Sequence, residues 1–170
     1  MGASSGRHIL GSIEDGKIKL EEIYRFENGI SKIGDEYCWD IQGLFNEIKK
    51  GIKKCKEIGK VPKTIGIDTW AVDFVLLDEN DEMLGNAVAY RDDRTEGYME
   101  KAFQVIPQDM LYLYTGIQFQ RFNTLYQLLA IKDKNPEYLK KAKTFLMIPD
   151  YLNFLLTGKK SNEYTNATST

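Results

Sequence analysis

Residues 66–78 read Gly-Ile-Asp-Thr-Trp-Ala-Val-Asp-Phe-Val-Leu-Leu-Asp, and the architecture can be inferred outward from this stretch. The apolar residues just before Asp68 predict a strand that ends near Trp70, and a second apolar run extends from Ala71 to Leu77. A helix is predicted ahead of this stretch, and strands are predicted before that helix. The order strand, helix, strand favours a βαβ crossover within an α/β fold.

Two apolar runs near the start of the chain flank the pair Asp15-Gly16. The first run is His8 to Ile13, and the second is Ile18 to Phe26. Because glycine tolerates the positive φ that a tight turn requires, the two runs are predicted to form a β-hairpin.

An amphipathic helix is predicted after Asp40, whose side chain is suited to capping it. Its apolar residues recur at spacings of three and four. They are Ile41, Leu44, Phe45, Ile48, Ile52, Cys55 and Ile58. Lysines occupy most of the other face, which is interpreted as solvated, and Gly59 lies where the helix should end.

A further strand is predicted from Met83 to Tyr90, after a turn at Asn80-Asp81. Beyond it the pattern becomes helical. The predicted helices span residues 93–104, 107–114, 124–133, 136–141 and 149–156.

The composition excludes several classes of protein. The 170 residues, 42% hydrophobic and 28% charged, suit one globular domain. The net charge of −2 gives no general reason to bind nucleic acid or an anionic membrane, so neither partner is expected. Two cysteines and one histidine are too few for a structural zinc site, and no metal-binding residue is predicted. No apolar run reaches the ~20 residues of a membrane span and no signal-peptide pattern is present, so a cytoplasmic location is expected.

The first motif with chemical potential lies at residues 2–7, Gly-Ala-Ser-Ser-Gly-Arg. Small residues let backbone N–H groups approach an anion, serine hydroxyls add donors, and the Arg7 guanidinium suits phosphate. A phosphate-binding loop and a flexible N-terminal tail are both compatible with this string.

The second motif combines Asp68, Trp70 and Asp73 at a predicted strand end. Ligands of open α/β sheets gather beyond the carboxyl ends of strands, and the indole and carboxylates suit a sugar. A buried tryptophan beside two turn carboxylates is the alternative interpretation.

Asp92 and Arg94 directly follow another predicted strand, within the run Tyr-Arg-Asp-Asp-Arg-Thr at 90–95. Their position favours a site, although charged runs on a surface are usually solvated. Asn123 or Thr124 is predicted to cap a helix, and Asp150 lies at a predicted helix start.

Taken in order, these motifs resemble the N-terminal part of the FGGY carbohydrate kinase family. The resemblance rests on residues 2–7, 66–78 and 90–95 and on five later strings. These are Thr-Gly-Ile-Gln-Phe (115–119), Phe-Asn-Thr-Leu-Tyr-Gln-Leu (122–128), Pro-Asp-Tyr-Leu (149–152), Leu-Thr-Gly (156–158) and Glu-Tyr-Thr-Asn-Ala (163–167). It extends over essentially the whole chain.

This resemblance implies the ribonuclease-H-like, actin-like ATPase fold, in which two domains close on a cleft. It implies transfer of the ATP γ-phosphoryl group, with Mg²⁺, to the 1-hydroxyl of a ketose. Gln127 stands where the wider family has lysine, which favours the branch that phosphorylates L-rhamnulose in rhamnose catabolism.

The family motifs also imply roles for individual residues. The ATP phosphate loop corresponds to Ala3, Ser4, Ser5, Gly6 and Arg7. The sugar site corresponds to Trp70, Ala71, Asp73, Asp92 and Arg94. Many relatives carry glycine at the position of Ala71, so its methyl group is expected to alter the fit of the sugar.

The resemblance further implies that residues 1–170 are an incomplete N-terminal domain, lacking its first strand and its C-terminal part. The catalytic base, an Asp in a His-Asp-Thr-type segment, is expected beyond Thr170. The isolated chain is therefore expected to be inactive and to need the remainder of the kinase. A kinase of another ketose such as L-fuculose, or a non-catalytic binding module, are the alternatives.

Overall fold

The hairpin predicted around Asp15-Gly16 forms in the computed structural model, which describes all 170 residues. Strands β1 (Ser5–Glu14) and β2 (Lys17–Glu27) pair antiparallel. Asp15 and Gly16 have φ values of 51° and 73°. Positive φ at both central residues matches the twist of the flanking strands, which confirms the predicted turn.

A second hairpin leads into the predicted amphipathic helix. Strands β3 (Ile30–Ile33) and β4 (Glu36–Trp39) pair antiparallel, and α1 (Ile41–Glu57) follows. The Asp40 carboxylate accepts a hydrogen bond at 2.8 Å from a backbone N–H of the first turn, which confirms the predicted cap. Gly59, with a φ of 72°, follows the end of the helix as predicted.

The third pair of strands lies at the centre of the molecule. Strand β5 (Phe74–Leu77) is buried at every position and pairs antiparallel with β6 (Thr144–Met147). All three sheets are antiparallel pairs, so the predicted βαβ crossover is wrong.

Two predicted strands are absent for the same physical reason. Residues 61–73 make no ladder with a neighbouring strand, so the predicted strand that ends near Trp70 is irregular backbone. The predicted strand from Met83 to Tyr90 makes only isolated bridges, one of them between Leu77 and Met83. Apolar alternation without a pairing partner does not produce a strand.

The helical second half follows the prediction closely. Residues 93–95 form one 3₁₀ turn, and Gly97, with a φ of 76°, separates it from the next helix, so the predicted helix over 93–104 is interrupted. The helices are α2 (Tyr98–Phe103), α3 (Gln108–Thr115), α4 (Thr124–Lys134), α5 (Pro136–Lys141), α6 (Ile148–Thr157) and α7 (Tyr164–Ala167). None of the helices combines the length and apolarity needed to traverse a bilayer.

The main core lies where α1, β4, β5 and α6 meet, and Trp39, Ile48 and Leu152 are among its buried residues. A smaller cluster packs the other face of β5 against α4, with Phe74 against Ile131. This packing brings the N-terminal turn of α4 to the residues that immediately precede β5.

Candidate functional site

The carboxylate of Asp73 is the centre of a buried hydrogen-bond network. Its Oδ2 accepts hydrogen bonds from the indole N–H of Trp39 at 2.6 Å, from that of Trp70 at 2.9 Å and from the backbone N–H of Tyr90 at 3.0 Å. Its Oδ1 accepts one from Nε2 of Gln127 at 3.1 Å. With 0% of its surface exposed, Asp73 satisfies the requirement that a buried charge be surrounded by donors.

The two indoles that share this carboxylate also contact each other. The ring centroids of Trp39 and Trp70 are 4.0 Å apart, with an angle of 34° between the ring planes. Trp39 is buried, whereas Trp70 is half-buried and presents part of its surface outside the core. The network therefore fixes the orientation of one accessible aromatic ring.

The turn that joins Trp70 to Asp73 has strained backbone. Val72 has a φ of 69°, in the left-handed region that β-branched residues rarely adopt. Such a conformation costs of order 1–3 kcal/mol and persists only when its surroundings hold it. The carbonyl of Val72 accepts hydrogen bonds from Thr124 Oγ1 at 2.7 Å and from Gln127 Nε2 at 3.2 Å, both from α4.

Gln127 connects this turn to Arg94, one of the predicted site residues. Its Oε1 accepts a hydrogen bond from the guanidinium of Arg94 at 2.5 Å. The buried Nε of Arg94 has no hydrogen-bond partner within the protein. Asp92 receives two backbone N–H groups, from Tyr37 at 2.7 Å and from Arg94 at 2.8 Å, so both of its oxygens already have donors.

Burial controls the protonation equilibria of this network. Loss of hydration raises the pKa of Asp73, and the N–H groups of Trp39 and Gln127 oppose that rise because they favour the carboxylate. Loss of hydration also lowers the pKa of Arg94, and the negative charge of Asp73 counteracts it. The negative charge of Asp73 therefore stabilises the ionised form of Arg94.

The N-terminal segment predicted to bind phosphate lies beside the start of this turn. The amino group of Met1 donates a hydrogen bond to the carbonyl of Asp68. Ala3 and Trp70 pack against the same core. The structure thus brings together two predicted segments that are more than sixty residues apart in the chain.

Within the N-terminal segment, the backbone N–H of Gly2 donates to the carbonyl of Ser5 at 2.8 Å. The side chains of Ser4 and Arg7 are exposed, whereas Gly6 is buried under Phe26. The hydroxyl and the guanidinium are accessible to an anion, and the role of Gly6 is explained by packing.

Two cavities are lined by residues of this region. A groove of about 1080 Å³ runs between the hairpin β1–β2, α1 and residues 60–68, and Arg7 and Asp68 lie on its wall. A second cavity of about 550 Å³ is lined by Asp92, Arg94 and Lys134. No group of three or more side chains in the chain has the composition and spacing of a metal site.

Trp39 and Thr124 belong to the network but were not among the predicted site residues. Trp39 lies on the hairpin β3–β4, whose only sequence signal is Gly34-Asp35 between two short runs. Thr124 is predicted only as a helix cap, and its bond to Val72 depends on packing across 52 residues of sequence.

Comparison with known proteins identifies the fold and the family. All of residues 1–170 match the FGGY family of carbohydrate kinases, N-terminal domain. The chain is 59% identical over 170 residues to a protein named rhamnulokinase from Oceanobacillus iheyensis and 61% identical to one from Halalkalibacterium halodurans. Each match covers 100% of this chain and 36% of the relative, so the chain spans about a third of the length of these proteins.

Solved structures give the same fold at low sequence identity. A ligand-bound xylulose kinase from Lactobacillus acidophilus superposes with a TM-score of 0.81 at 21% identity, over 99% of this chain and 34% of that protein. A glycerol kinase from Plasmodium falciparum with ADP gives a TM-score of 0.73 at 20% identity, over 100% of this chain and 38% of that protein. These matches confirm the predicted actin-like α/β class of fold, and the full-length family match shows that the chain belongs to the FGGY family of carbohydrate kinases.

Proposed function

We propose that this chain supplies the sugar-binding turn and part of the phosphate-binding segment of an ATP-dependent kinase. The reaction is transfer of the γ-phosphoryl group to the 1-hydroxyl of L-rhamnulose, which gives L-rhamnulose 1-phosphate. The observation that carries the proposal is the 59–61% identity, over the whole chain, to proteins named rhamnulokinase. On this proposal, residues 1–170 are part of the N-terminal domain of a two-domain enzyme.

The geometry of the turn supports a sugar ligand. Binding sites for small molecules combine aromatic surface with a few fixed polar groups. Trp70 offers an indole face whose orientation is set by Asp73, and the backbone of Ala71 lies in a strained turn held by α4. Fixed groups of this kind favour binding because little conformational entropy is lost when the ligand arrives.

The residues of the N-terminal segment fit a nucleotide phosphate in chemical type. Ser4 offers a hydroxyl donor, Arg7 a permanent positive charge, and both side chains are exposed. Mg²⁺ bound to nucleotide phosphates usually retains several waters and needs few protein ligands. When bound, ATP supplies the phosphoryl group and its Mg²⁺ neutralises charge on the phosphates.

Phosphoryl transfer depends mainly on positioning and electrostatic stabilisation. In this proposal, Trp70 and Ala71 orient the sugar, and Ser4, Ser5 and Arg7 hold the phosphates. Asp73 is fully buried and accepts four hydrogen bonds, so it acts on the sugar through Trp70. The base that removes the proton of the attacking hydroxyl is expected beyond Thr170.

A chimera tests this function directly. This chain replaces the matching segment of the Halalkalibacterium halodurans rhamnulokinase, to which it is 61% identical. We expect ATP-dependent phosphorylation of L-rhamnulose, measured by coupled ADP release, and weaker activity with L-fuculose and D-xylulose. A preference for another ketose would refute the substrate assignment, and an inactive but folded chimera would refute the kinase assignment.

A pair of arginines separates nucleotide binding from general loss of charge. Arg7 and Arg25 face each other across the hairpin β1–β2, and both are exposed. In the chimera, Arg7→Ala is expected to raise the KM for ATP at least fivefold with the sugar KM unchanged. The matched control Arg25→Ala should leave both KM values within twofold of the parent.

A further inference from the structure

The side-chain amide of Gln127 has one possible orientation. On one side it faces Arg94, whose guanidinium can only donate hydrogen bonds. On the other side it faces the Asp73 carboxylate and the carbonyls of Val72 and Phe122, which can only accept them. Oε1 must therefore point to Arg94, and Nε2 must point to the turn.

The neighbours of this position in the present chain suit an amide of this length. Gln127 is 1% exposed, so a polar group left without a partner there costs the full penalty of desolvation. Glutamate would place an acceptor against Asp73, and lysine would place a cation against Arg94. Methionine has a similar volume but removes the acceptor for the Arg94 guanidinium and one donor from each of three oxygens, of which the Val72 carbonyl keeps Thr124.

The bond from Gln127 acts on the strained part of the turn. Val72 keeps a φ of 69° only because its surroundings hold it, and α4 supplies two donors to its carbonyl. The same amide group binds Asp73, which fixes the indole of Trp70. One buried side chain thus restrains both the backbone and the aromatic ring of the proposed sugar site.

We infer that Gln127 is a positioning residue that holds the turn of residues 70–73 in its sugar-binding conformation, an inference that rests on the proposed function. It does not touch the sugar, because it is buried beneath the turn. It acts on sugar affinity through Trp70 and the backbone at Ala71. Loss of the amide therefore weakens sugar binding and leaves nucleotide binding unchanged.

Steady-state kinetics of the chimera test the inference. Gln127→Met is expected to raise the KM for L-rhamnulose at least tenfold, with the KM for ATP within twofold of the parent. Gln104→Met at the exposed end of α2 is the matched control and should leave both values unchanged. A sugar KM within twofold of the parent for a folded Gln127→Met chimera would overturn the inference.

An exchange of donor and acceptor supplies a rescue test. Gln127→Glu alone opposes Asp73 with a second carboxylate, and a tenfold or greater rise in sugar KM is expected. In Asp73→Asn/Gln127→Glu the new amide donates to the new carboxylate, which still accepts from Arg94. We expect at least threefold recovery of the sugar KM, incomplete because the carbonyls of Val72 and Phe122 lose the donor that Gln127 supplied; no recovery would count against the inference.

Tryptophan fluorescence keeps the inference testable if the chimera is inactive or if Gln127→Met does not fold in it. The chain contains two tryptophans, and both indoles donate to Asp73. In the 170-residue chain, Gln127→Met or the milder Gln127→Asn should shift the emission to longer wavelength, and Gln104→Met should not. An unshifted emission maximum in both variants would overturn the inference. This result does not depend on whether the unsubstituted chimera is an active kinase.

Discussion

Substitution of Gly6 by alanine tests whether packing against Phe26 explains this glycine in the N-terminal segment. A Cβ at Gly6 would lie 2.0, 2.4 and 2.6 Å from three atoms at the far end of the Phe26 ring, where ordinary carbon contacts are about 3.5 Å or longer. Phe26 is 8% exposed and belongs to the main core, so its ring cannot move away freely. Overpacking of this kind costs about 1–3 kcal/mol, which we expect as the loss in free energy of unfolding for Gly6→Ala.

A double-mutant cycle with Phe26→Leu measures that cost. Leucine lacks the three ring atoms that meet the new Cβ, so Gly6→Ala should cost under about 0.5 kcal/mol in the Phe26→Leu background. Phe26→Leu alone should cost about 1–1.5 kcal/mol as a core substitution. Urea unfolding of the 170-residue chain, followed by far-ultraviolet circular dichroism, gives all four stabilities. Equal costs of Gly6→Ala in both backgrounds, or no cost in either, would refute the steric explanation.

Three further predictions concern other parts of the chain. A Cβ at Gly51 would lie 2.2 Å from the His8 ring, so Gly51→Ala should lower the melting temperature of the parent chain. In the His8→Ala background the same substitution should raise the melting temperature, because only the gain in helix propensity of about 1 kcal/mol remains. A rise in both backgrounds would contradict this explanation. Burial raises the pKa of the Cys38 thiol to about 11, compared with about 8.5 in the unfolded chain. The contribution of this thiol to the free energy of unfolding should therefore be constant below about pH 8.5 and decrease as the pH rises toward 11. In Cys55→Ser, Cys38 should resist iodoacetamide at pH 8 unless urea is added, and rapid labelling of the folded chain would count against its burial. The purified 170-residue chain should phosphorylate no L-rhamnulose where the chimera does, and activity that co-elutes with it would disprove this.

Local features of the fold could be predicted from the sequence because their causes are local. Asp15-Gly16 specifies its turn through backbone preference, and Asp40 caps α1 through a bond to its own first turn. Strands β3, β4 and β6 have four residues each, which is too short for an alternating apolar pattern to predict a strand. The strand predicted near residues 65–70 failed because pairing depends on a neighbour, which apolar pattern alone does not reveal.

For the candidate site, the identity of several residues could be predicted from the sequence, but their contacts could not. Trp70, Asp73 and Arg94 could be selected because their residue types and positions after apolar runs suit a sugar and phosphate site. Their geometry could not be predicted, because Asp73 accepts hydrogen bonds from Trp39 and Gln127, which are 34 and 54 residues away in the sequence. Whether a carboxylate faces the ligand or supports another residue is decided by such distant contacts.

The carboxylate of Asp73 also links the folding of several distant segments of the chain. Its four donors come from β4, from the turn before β5, from the backbone at Tyr90 and from α4. A partly folded chain that lacks one of these elements buries the carboxylate with too few donors, or leaves it in water with the turn relaxed. The complete network therefore forms only after segments from the first and last thirds of the chain have met. On the proposed function, a nascent or damaged molecule that has not completed this assembly does not bind sugar, so sugar binding would report that these segments have folded together.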